Sequence, residues 1–473
     1  MSTPNFGAEL ELMDDHLEQG DIVHVLKCTG QLASCHVNQA HWLSKCFECQ
    51  EKFNLGLKQV EIPASNIHTL KTYEDSYTES DISFNTLEEL KNYKINGIDF
   101  GEAVASSIIT ETKNYKLDTI ANKSTVRTKL MMAYQVYLNF IKVIEEIEPD
   151  RVYVFNGRLA ETRPVVRVCQ QKNIDVHVIE RADNYGHYMI SVNCLSHEMA
   201  FMKREIESYW QDDNPNKYHI SEQWYLDRRN AVDQGYYSFV KHQEPGKLPL
   251  NFNPEHKNIA IFVSSEYEFA TFPDWKNQIY LDQRDGLIQI LESLQKETNL
   301  RLWIRLHPNL KKDNSDQLLE LQELDRRQYK HAEFIWPKET INSYTLMDHC
   351  DQTLTFGSTV GVEATFWGKP SILAGRGPYE DLDVVYRPTT HSEVMALLES
   401  DLSPKSKSGA LKYGYRMMAN GIPYKKFLTT DICEGSFKGE KITSEVTGLK
   451  NYVYYKALRK IDKFKHRFKK IFC

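Results

Sequence analysis

Long hydrophobic runs are absent from this sequence, and no stretch reaches the ~18 apolar residues that a membrane-spanning helix needs. The opening segment, MSTPNFGAELELMDDHLEQGD, is too polar and acidic for a secretory signal peptide. From these two absences we expect a cytoplasmic protein.

A disulfide framework is also lacking, because the nine cysteines are odd in number and no export signal accompanies them. Reduced thiols are expected. Excess positive charge is confined to the end of the chain: residues 450–473 carry nine Lys or Arg against one acid, while the rest has 49 basic against 64 acidic residues. This acidic body argues against a broad nucleic-acid-binding face, whereas the basic tail suits an anionic surface.

The composition is that of a folded globular protein, with 41% hydrophobic and 26% charged residues. At ~100–200 residues per domain, 473 residues favour two to three domains. A first α/β series begins with an amphipathic helix through Leu10, Met13 and Leu17 and the strand DIVHVLKC. Helix-length stretches then alternate with the strands RVYVFNG and IDVHVIE, which predicts a parallel sheet with helices on its faces.

A second α/β series follows the Pro-rich segment KHQEPGKLPLNFNPEHK. Its predicted strands are NIAIFVSS, LRLWIRLHP, QTLTFGS and PSILAG, with helices GLIQILESLQKE and VGVEATFWG between them. The predicted fold is α/β with two Rossmann-like, doubly wound domains. We place an N-terminal domain at 1–240, a linker at 241–257, a second domain at 258–425 and a basic tail at 426–473.

Three strand ends of the second domain carry residues that suit a phosphorylated ligand, since ligands of parallel sheets bind beyond the carboxyl ends of strands. The residues are Ser264, Ser265 and Glu266 after the first strand, Arg305 and His307 after the second, and Ser358, Thr359 and Glu363 after QTLTFG. Each of these segments also has a purely structural explanation. The serines and Thr359 would cap helices, and the His-Pro pair would only end its strand.

The third strand end is predicted to cradle an anion. Gly357 permits a tight turn, Ser358 and Thr359 stand at a helix N-terminus, and Gly361 allows close approach of a ligand. Glu363, one turn into that helix, is predicted to accept hydrogen bonds from a ribose diol.

These segments, with SYTLMDHCDQTLTFGSTVGVEATFWGKP uninterrupted, resemble bacterial capsule and surface polysaccharide biosynthesis proteins with a GT-B glycosyltransferase fold. VYVFNGRLAETRPVVRVCQQKNIDVHVIER carries the likeness into the first domain, and it covers most of residues 3–425. The resemblance implies two Rossmann-like domains facing a central cleft, with the donor nucleotide mainly on the second and the acceptor mainly on the first. It also makes Arg305, His307, Ser358, Thr359 and Glu363 donor-site residues.

The His-Pro and Ser-Thr pairs are similar to the phosphate site of transferases that use CMP-sugars, which makes a CMP-linked keto-sugar one candidate donor. Relatives usually begin with a strand before the TPNFGAELEL segment. Either the first sheet lacks a strand or the recorded start is late.

Acceptor-side candidates follow two strands of the first domain: Asn156 and Arg158 after one, Arg181 after the next. Transfer by direct displacement needs a group that takes the acceptor hydroxyl proton. Glu180 is the first candidate for this catalytic role, with Asp183 and His187 behind it. An Arg-Glu pair that merely bridges two loops is the alternative.

Cys28, Cys35, Cys46 and Cys49 lie within 22 residues, which predicts a structural zinc site. Buried free thiols or a redox disulfide are the alternatives. Cys169, Cys194 and Cys350 are predicted small core residues, and Cys433 and Cys473 have no assigned role.

The tail predicts a basic amphipathic helix, in which Tyr454, Leu458, Ile461, Phe464 and Phe468 recur at helical spacing among lysines and arginines. Docking on the anionic inner face of the plasma membrane is expected, and a helix packed on the body is the alternative.

The predicted function is transfer of a sugar from a nucleotide-sugar donor to a surface polysaccharide or a lipid-linked glycan. No catalytic metal is expected, since Arg305, His307 and helix N-termini offset the charge of the leaving phosphate. The alternatives are a polyol-phosphate transferase, a sugar-nucleotide epimerase, or a non-catalytic glycan-binding or scaffold subunit of a polysaccharide synthase.

Overall fold

The structure, a computed structural model, describes residues 3–72, 82–235, 237–296, 299–311, 315–430, 434–443, 446 and 448–472. The chain divides into two compact units. The first comprises residues 1–111, 117–196 and 421–473, and the second comprises residues 112–116 and 197–420.

The helices of the described residues are α1 Thr3–Glu18, α2 Leu43–Leu57, α3 Leu87–Lys91, α4 Phe100–Thr112, α5 Lys123–Ile147, α6 Arg163–Lys172, α7 Met199–Trp210, α8 Lys217–Arg229, α9 Glu266–Phe269, α10 Gln283–Ser293, α11 Asp316–Asp325, α12 Ser343–His349, α13 Val360–Phe366, α14 His391–Glu399, α15 Ser408–Ala419 and α16 Leu449–Phe472.

The strands are β1 Val25–Lys27, β2 Ile67–Thr69, β3 Arg151–Phe155, β4 Asp175–Arg181, β5 His187–Val192, β6 Lys257–Val263, β7 Leu300–Leu306, β8 Ala332–Ile335, β9 Gln352–Thr355, β10 Ser371–Leu373, β11 Ile422–Pro423, β12 Phe427–Thr429, β13 Gly435–Phe437 and β14 Glu440–Lys441.

The sheet of the second unit is parallel throughout, in the order β10-β9-β6-β7-β8. The first strand along the chain, β6, is therefore central, which is the order of a doubly wound Rossmann-like sheet. Side chains alternate between faces: Ile259 and Ile261 pack with Leu287 of α10, whereas Ala260 packs with Leu346 of α12. Helices thus cover both faces of this sheet, as the sequence predicts.

The main sheet of the first unit is mixed, in the order β11-β5-β4-β3. Its β3 and β4 are parallel, but β5 runs antiparallel to β4, and β11 antiparallel to β5. The reason is local, because only residues 182–186 separate β4 from β5 and so short a connection closes a hairpin. A separate parallel pair is formed by β1 and β2. The α/β class is confirmed, and the parallel pairing expected here holds only in part.

The end of the chain belongs to the first unit. The carboxylate of Glu11 on α1 accepts hydrogen bonds from the backbone N–H groups of Lys425, Lys426 and Phe427 at 2.8, 3.0 and 3.0 Å. Phe427 and Phe437 then pack in a cluster with Phe6 of α1. These contacts hold the chain against α1 after it leaves α15.

The observed division of the chain differs from the predicted boundaries. Helices α7 and α8, expected in the first domain, group with the second, because Ile206 and Trp224 share a core cluster with Tyr413 of α15. The predicted linker at 241–257 lies inside the second unit. It is fixed there by backbone hydrogen bonds such as that of Glu244 N–H to the carbonyl of Thr340, at 2.8 Å.

The predicted tail helix is present as α16, and it packs on α2. Asp462 caps α2 by accepting hydrogen bonds from the backbone N–H groups of Leu43 and Ser44, both at 2.9 Å. Leu458 is buried on the same side. Among the described residues, no helix has both the length and the apolarity needed to cross a bilayer.

Candidate functional site

The turns that follow β7 and β9 lie at one edge of the second unit's sheet. Both strands pair with β6 in parallel, one on each side, so their carboxyl ends point the same way. Neighbouring strands are ~4.8 Å apart, which puts the two strand ends about 10 Å from each other. The structure thus brings the His307 turn and the Ser358 turn to the same edge.

His307 is a neutral histidine held between positive charges. Its Nδ1 accepts a hydrogen bond from the backbone N–H of Asn309 at 3.2 Å, so we assign the ring proton to Nε2. Burial, together with the charges of Arg228 and Arg305, lowers the pKa of His307 to about 4. The ring therefore offers an N–H donor, and no charge of its own, at neutral pH.

Arg305 is a buried cation on β7. Its guanidinium donates to the backbone carbonyls of Trp336 and Glu339 at 3.1 and 3.5 Å, and its Nε has no hydrogen-bond partner among the described residues. Burial lowers its pKa to about 10, which leaves it charged at neutral pH. The sequence predicts that residues 305 and 307 lie on the same face of the strand. The lowering of the His307 pKa by the charge of Arg305 is consistent with this prediction.

Arg228, which sequence reasoning missed, lies at the centre of the site. Its Nη2 is 3.0 Å from Glu363 and donates to the hydroxyl of Thr359 at 3.1 Å, and its guanidinium stacks on Trp224 at 4.8 Å. Nothing in the sequence marks it, because Arg228 and Thr359 are 131 positions apart and meet only through the packing of α8.

Glu363 is surrounded by protein side chains, whereas the sequence predicts that it contacts a ribose diol. It is 2% exposed, and its two oxygens accept hydrogen bonds from Thr359 at 2.8 Å and from the hydroxyl of Tyr344. With Arg228 also bound, both oxygens have protein partners. In this structure Glu363 positions Arg228 and Thr359.

The turn after β9 depends on its glycines, for reasons that differ from the prediction. A Cβ on Gly361 would lie 2.5 Å from the hydroxyl of Tyr379, so this glycine admits a protein side chain, whereas the expectation was a ligand. Gly357 has φ of +151°, and a Cβ there would lie 2.8 Å from the carbonyl of Arg376. The turn is thereby held tightly, with the Ser358 carbonyl accepting from the Tyr379 hydroxyl.

Helix capping does not explain why Thr359 stands at this turn, because its side chain makes no cap hydrogen bond to α13. Ser358 Oγ accepts from the backbone N–H of Val360 at 3.3 Å. The helix itself has only seven residues. The cation in contact with this turn is Arg228, and it is paired with Glu363.

The end of β6 is a polar, mostly buried turn. Glu266 accepts a hydrogen bond from Gln283 Nε2 at 2.6 Å, and burial raises its pKa to about 7. The backbone N–H of Ser264 donates to Gln283 at 2.8 Å, while the buried Oγ of Ser265 has no hydrogen-bond partner among the described residues. The Ser265 hydroxyl is therefore both buried and without a protein partner among the described residues.

In the first unit, the predicted strand ends of β3 and β4 are adjacent. Asn156 Nδ2 donates to Glu180 at 2.6 Å, and burial raises the pKa of that carboxyl. Asn156 and Gly157 both have positive φ, at 62° and 72°, which forms the sharp turn after β3. The two strand ends are therefore neighbours, as expected, and the hydrogen bond between Asn156 and Glu180 is the direct contact between them.

The other acceptor-side residues surround this pair. Arg158 Nη1 donates to Ser106 and Thr110 of α4 at 3.0 and 2.8 Å. Arg181 is the last residue of β4, and its charge, like that of Arg158, acts to lower the pKa of Glu180. Asp183 lies in the hairpin turn, and His187 begins β5 with Nδ1 at 2.9 Å from the Tyr185 carbonyl.

The predicted zinc ligands are free thiols. Cys28 is exposed, Cys46 accepts a hydrogen bond from Asn38 at 3.2 Å, and burial raises the pKa of Cys35 to about 12. Across the described ranges, no three His, Cys, Asp or Glu side chains form a group that could hold a metal ion. The zinc site stays a prediction of the sequence. Cys169 and Cys350 are buried and Cys194 is half-buried, whereas Cys433 and Cys473 lie outside the described residues.

We predict that Arg228→Gln raises the pKa of His307 from about 4, because one of the two positive charges beside it is removed. The value should stay below 6.5, since burial is the largest cause and remains. A histidine-selective NMR titration, assigned with His307→Gln, measures the shift. Arg229→Gln is the matched control, because its guanidinium on the same helix pairs with Asp348. An unchanged His307 pKa in Arg228→Gln would contradict the electrostatic account.

The zinc prediction is tested by elemental analysis of protein expressed with added zinc. The sequence prediction requires one equivalent per chain, although the described side chains form no such group. The double change Cys46→Ser with Cys49→Ser would then remove it, because two of the four thiolate ligands are lost. Cys194→Ser is the control and should retain the metal. Less than one equivalent in the unaltered protein counts against the site.

Comparisons with known proteins bear mainly on the second unit. Residues 269–392 match the family model described as "Capsule polysaccharide biosynthesis protein". No curated protein matches the chain. The matched segment contains Arg305, His307, Ser358, Thr359 and Glu363, whereas Arg228 lies outside it.

Solved structures match at low similarity. "Thermosulfurimonas dismutans KpsC, beta Kdo 2,4 transferase" has 11% identity and a TM-score of 0.38, over 56% of this chain and 78% of that one. The KpsC beta Kdo 2,7 transferase of the same organism has 16% identity and a TM-score of 0.36, over 59% and 80%. A UDP-GlcNAc 2-epimerase from Neisseria meningitidis has 16% identity and a TM-score of 0.24, over 80% and 86%.

Such TM-scores are too low for these likenesses to bear on activity. The family match is specific to one segment, and that segment carries the strand ends after β7 and β9. It confirms, over residues 269–392, the resemblance of this chain to capsule polysaccharide biosynthesis proteins.

Proposed function

We propose that the protein is a glycosyltransferase that transfers a sugar from a nucleotide-sugar donor to a surface or capsular glycan. The observation that carries the proposal is the neutral His307 beside Arg228 and Arg305, at the strand edge that also holds Ser358 and Thr359. Cations and uncharged N–H and O–H donors at one place suit the phosphate of an activated sugar.

The chemistry at this edge is stabilisation of the leaving nucleotide. As the bond between the sugar and phosphate breaks, negative charge develops on the phosphate, and the guanidinium groups offset it without reorganisation. His307 donates from Nε2 to a phosphate oxygen. An anion bound there also counteracts the two arginines, which raises the pKa of His307.

On the acceptor side, Glu180 takes the proton of the attacking hydroxyl. Burial raises its pKa, which makes the carboxylate a stronger base, and the hydrogen bond from Asn156 fixes its orientation. Asp183 and His187 are the next candidates for this step. Arg158 and Arg181 are assigned to acceptor binding, and none of these steps requires a catalytic metal.

A CMP-linked keto-sugar is the first donor candidate, on the resemblance of the His-Pro and Ser-Thr pairs to CMP-sugar transferases. The phosphate site alone would also suit a polyol-phosphate transferase or a sugar-nucleotide epimerase. A non-catalytic scaffold is the alternative of another class. Loss of turnover in a folded variant separates an enzyme from a scaffold.

We predict that His307→Ala and Ser358→Ala each lower transfer from the donor by about 100-fold, the size of effect seen when one transition-state donor is removed. The donor nucleotide is found first by thermal shift with CMP, CDP, UDP and GDP, since a ligand that binds the folded form raises the melting temperature. Transfer to a capsular glycan acceptor is then measured with the corresponding nucleotide-sugar.

The matched control is His391→Ala, a histidine of the same unit whose ring is hydrogen-bonded to the hydroxyls of Tyr280 and Ser293. It should retain transfer. If none of the nucleotides stabilises the folded protein, or if His307→Ala transfers as well as the unaltered protein, the proposed activity is wrong.

We also propose that α16 docks the protein on an anionic membrane surface, where a lipid-linked acceptor would lie. Because α16 packs on α2 through Leu458 and Asp462, helical geometry turns the opposite side outward. That side exposes apolar residues, with Leu449 82%, Val453 61% and Phe464 62% exposed. Exposed lysines lie among them, at positions 456, 460 and 463.

Packing on the body and docking on a membrane are therefore compatible, because one side of α16 contacts α2 and the opposite side is exposed. Apolar side chains that enter the headgroup region, together with lysines that meet anionic lipid, are the features of an interfacial helix. Each lysine near such a surface contributes about 1 kcal/mol.

We predict that the double change Lys456→Glu with Lys460→Glu weakens binding to vesicles containing phosphatidylglycerol at least ten-fold, because two attractive charges become repulsive. Co-sedimentation measures binding, and vesicles of phosphatidylcholine alone should bind weakly. The charge-matched control is Lys58→Glu with Lys123→Glu, exposed lysines elsewhere in the first unit. Equal binding by both double variants would refute docking through α16.

A further inference from the structure

An exposed aromatic residue stands beside the proposed phosphate site. The ring of Phe239 lies edge-to-face against His307, with ring centroids 5.0 Å apart, and Phe239 is 41% exposed. One side of this ring is thus packed on the imidazole, and a large part of it remains open to solvent. Phe239 lies outside the segment that matches the capsule family, and no predicted site residue is near it in sequence.

The backbone on each side of Phe239 is held in place. Asp233 accepts a hydrogen bond from the backbone N–H of Ser238 at 2.7 Å, and its other oxygen pairs with the ammonium of Lys241. Val240 packs against the apolar cluster that contains Ile335 and Tyr344. Ser238 and Val240, the residues on either side of Phe239, are therefore anchored, so little conformational entropy is lost when a ligand contacts the ring.

We propose that Phe239 is a stacking platform for the nucleobase of the donor, an inference that rests on the phosphate site of the proposed function. In a nucleotide, the base is separated from the phosphate by one pentose. His307 and the arginines provide the phosphate contacts, and Phe239 adjoins His307, so a base attached to a bound phosphate through its pentose reaches the ring of Phe239.

A stacking role for Phe239 accounts for the exposure of its ring and also defines the class of ligand. The ring is left partly exposed, although its neighbours Val240 and His307 are packed, because a base covers it in the complex. An aromatic face binds any base through its π surface, so Phe239 favours a nucleotide over a phosphate that lacks a base. The ligand class at this site is therefore a nucleoside phosphate, which separates it from polyol phosphates and inorganic phosphate.

The test compares two ligands by isothermal titration of the full chain: the nucleotide found by thermal shift among CMP, CDP, UDP and GDP, and ribose 5-phosphate. For Phe239→Ala we expect about ten-fold weaker binding of the nucleotide that binds the unaltered protein, the lower part of the range for removing a base-stacking aromatic ring. Binding of ribose 5-phosphate should not change, because it has no base to stack.

Phe239→Trp is the second variant and should bind the nucleotide at least as tightly as the unaltered protein, which also shows that the turn still folds when this side chain is changed. Tyr218→Ala is the matched control, an exposed aromatic residue of the same unit that packs on Trp210. It should leave nucleotide affinity unchanged.

The possible failures can be told apart. If the unaltered protein binds neither nucleotide nor ribose 5-phosphate, the phosphate site fails, and this inference fails with it. If a nucleotide binds and Phe239→Ala binds it with unchanged affinity, the platform is refuted while the phosphate site stands. Equal weakening of nucleotide and ribose 5-phosphate by Phe239→Ala would also refute stacking, since it would indicate a general disturbance of the turn.

Discussion

The ion pair of Glu363 with Arg228 is the contact on which the site in the second unit depends. A long arginine side chain at the end of a helix has many conformations, and here the carboxylate of Glu363, at 3.0 Å, selects one of them. Thr359 and Tyr344 complete the coordination of that carboxylate. Removal of Arg228 would leave the Glu363 carboxylate, which is only 2% exposed, with hydroxyl groups as its only hydrogen-bond donors. An unpaired charge of this kind is costly in a protein interior.

The charge balance at this edge is positive. Glu363 neutralises one guanidinium, but Arg305 donates only to carbonyl groups, and no described carboxylate lies within ion-pair distance of it. The depressed pKa of His307 follows from burial and from this excess charge. In terms of stability, the histidine binds a proton in the unfolded chain below pH 6.5 but in the folded one only near pH 4, so its contribution favours folding above pH 6.5 and is lost as the pH falls through that window.

The sequence was sufficient for the second unit because buried parallel strands are short and rich in apolar residues, as β6 and β7 are, and because Gly357 after β9 and Pro370 before β10 mark the ends of the other two strands. It was insufficient where the structure depends on contacts between distant segments. Arg228 belongs to a helix whose placement is set by its packing on α15, which periodicity does not reveal. Glu363 was predicted as a ligand contact because its position one turn into α13 is visible in sequence, whereas the hydroxyl of Tyr344 that binds it is not. In the first unit, the carboxyl ends of β3 and β4 were predictable as neighbours, but the antiparallel direction of β5 depends on the five-residue hairpin turn.

The arrangement also bears on whether the second unit does chemistry or only holds partners together. Arg305 is buried with only the charge of Glu339 to offset its own, and His307 is buried beside two cations. Both arrangements cost stability that a scaffold has no need to lose, because well-packed apolar residues in their place would be neutral or stabilising. Strain of this kind is expected where a ligand of opposite charge completes the electrostatics. An anion that bound there would offset the charge of Arg305, whose guanidinium donates only to carbonyl groups, and would counteract the two cations that lower the pKa of His307. The excess of positive charge at this edge is therefore better explained by a site that binds an anion than by a structural core.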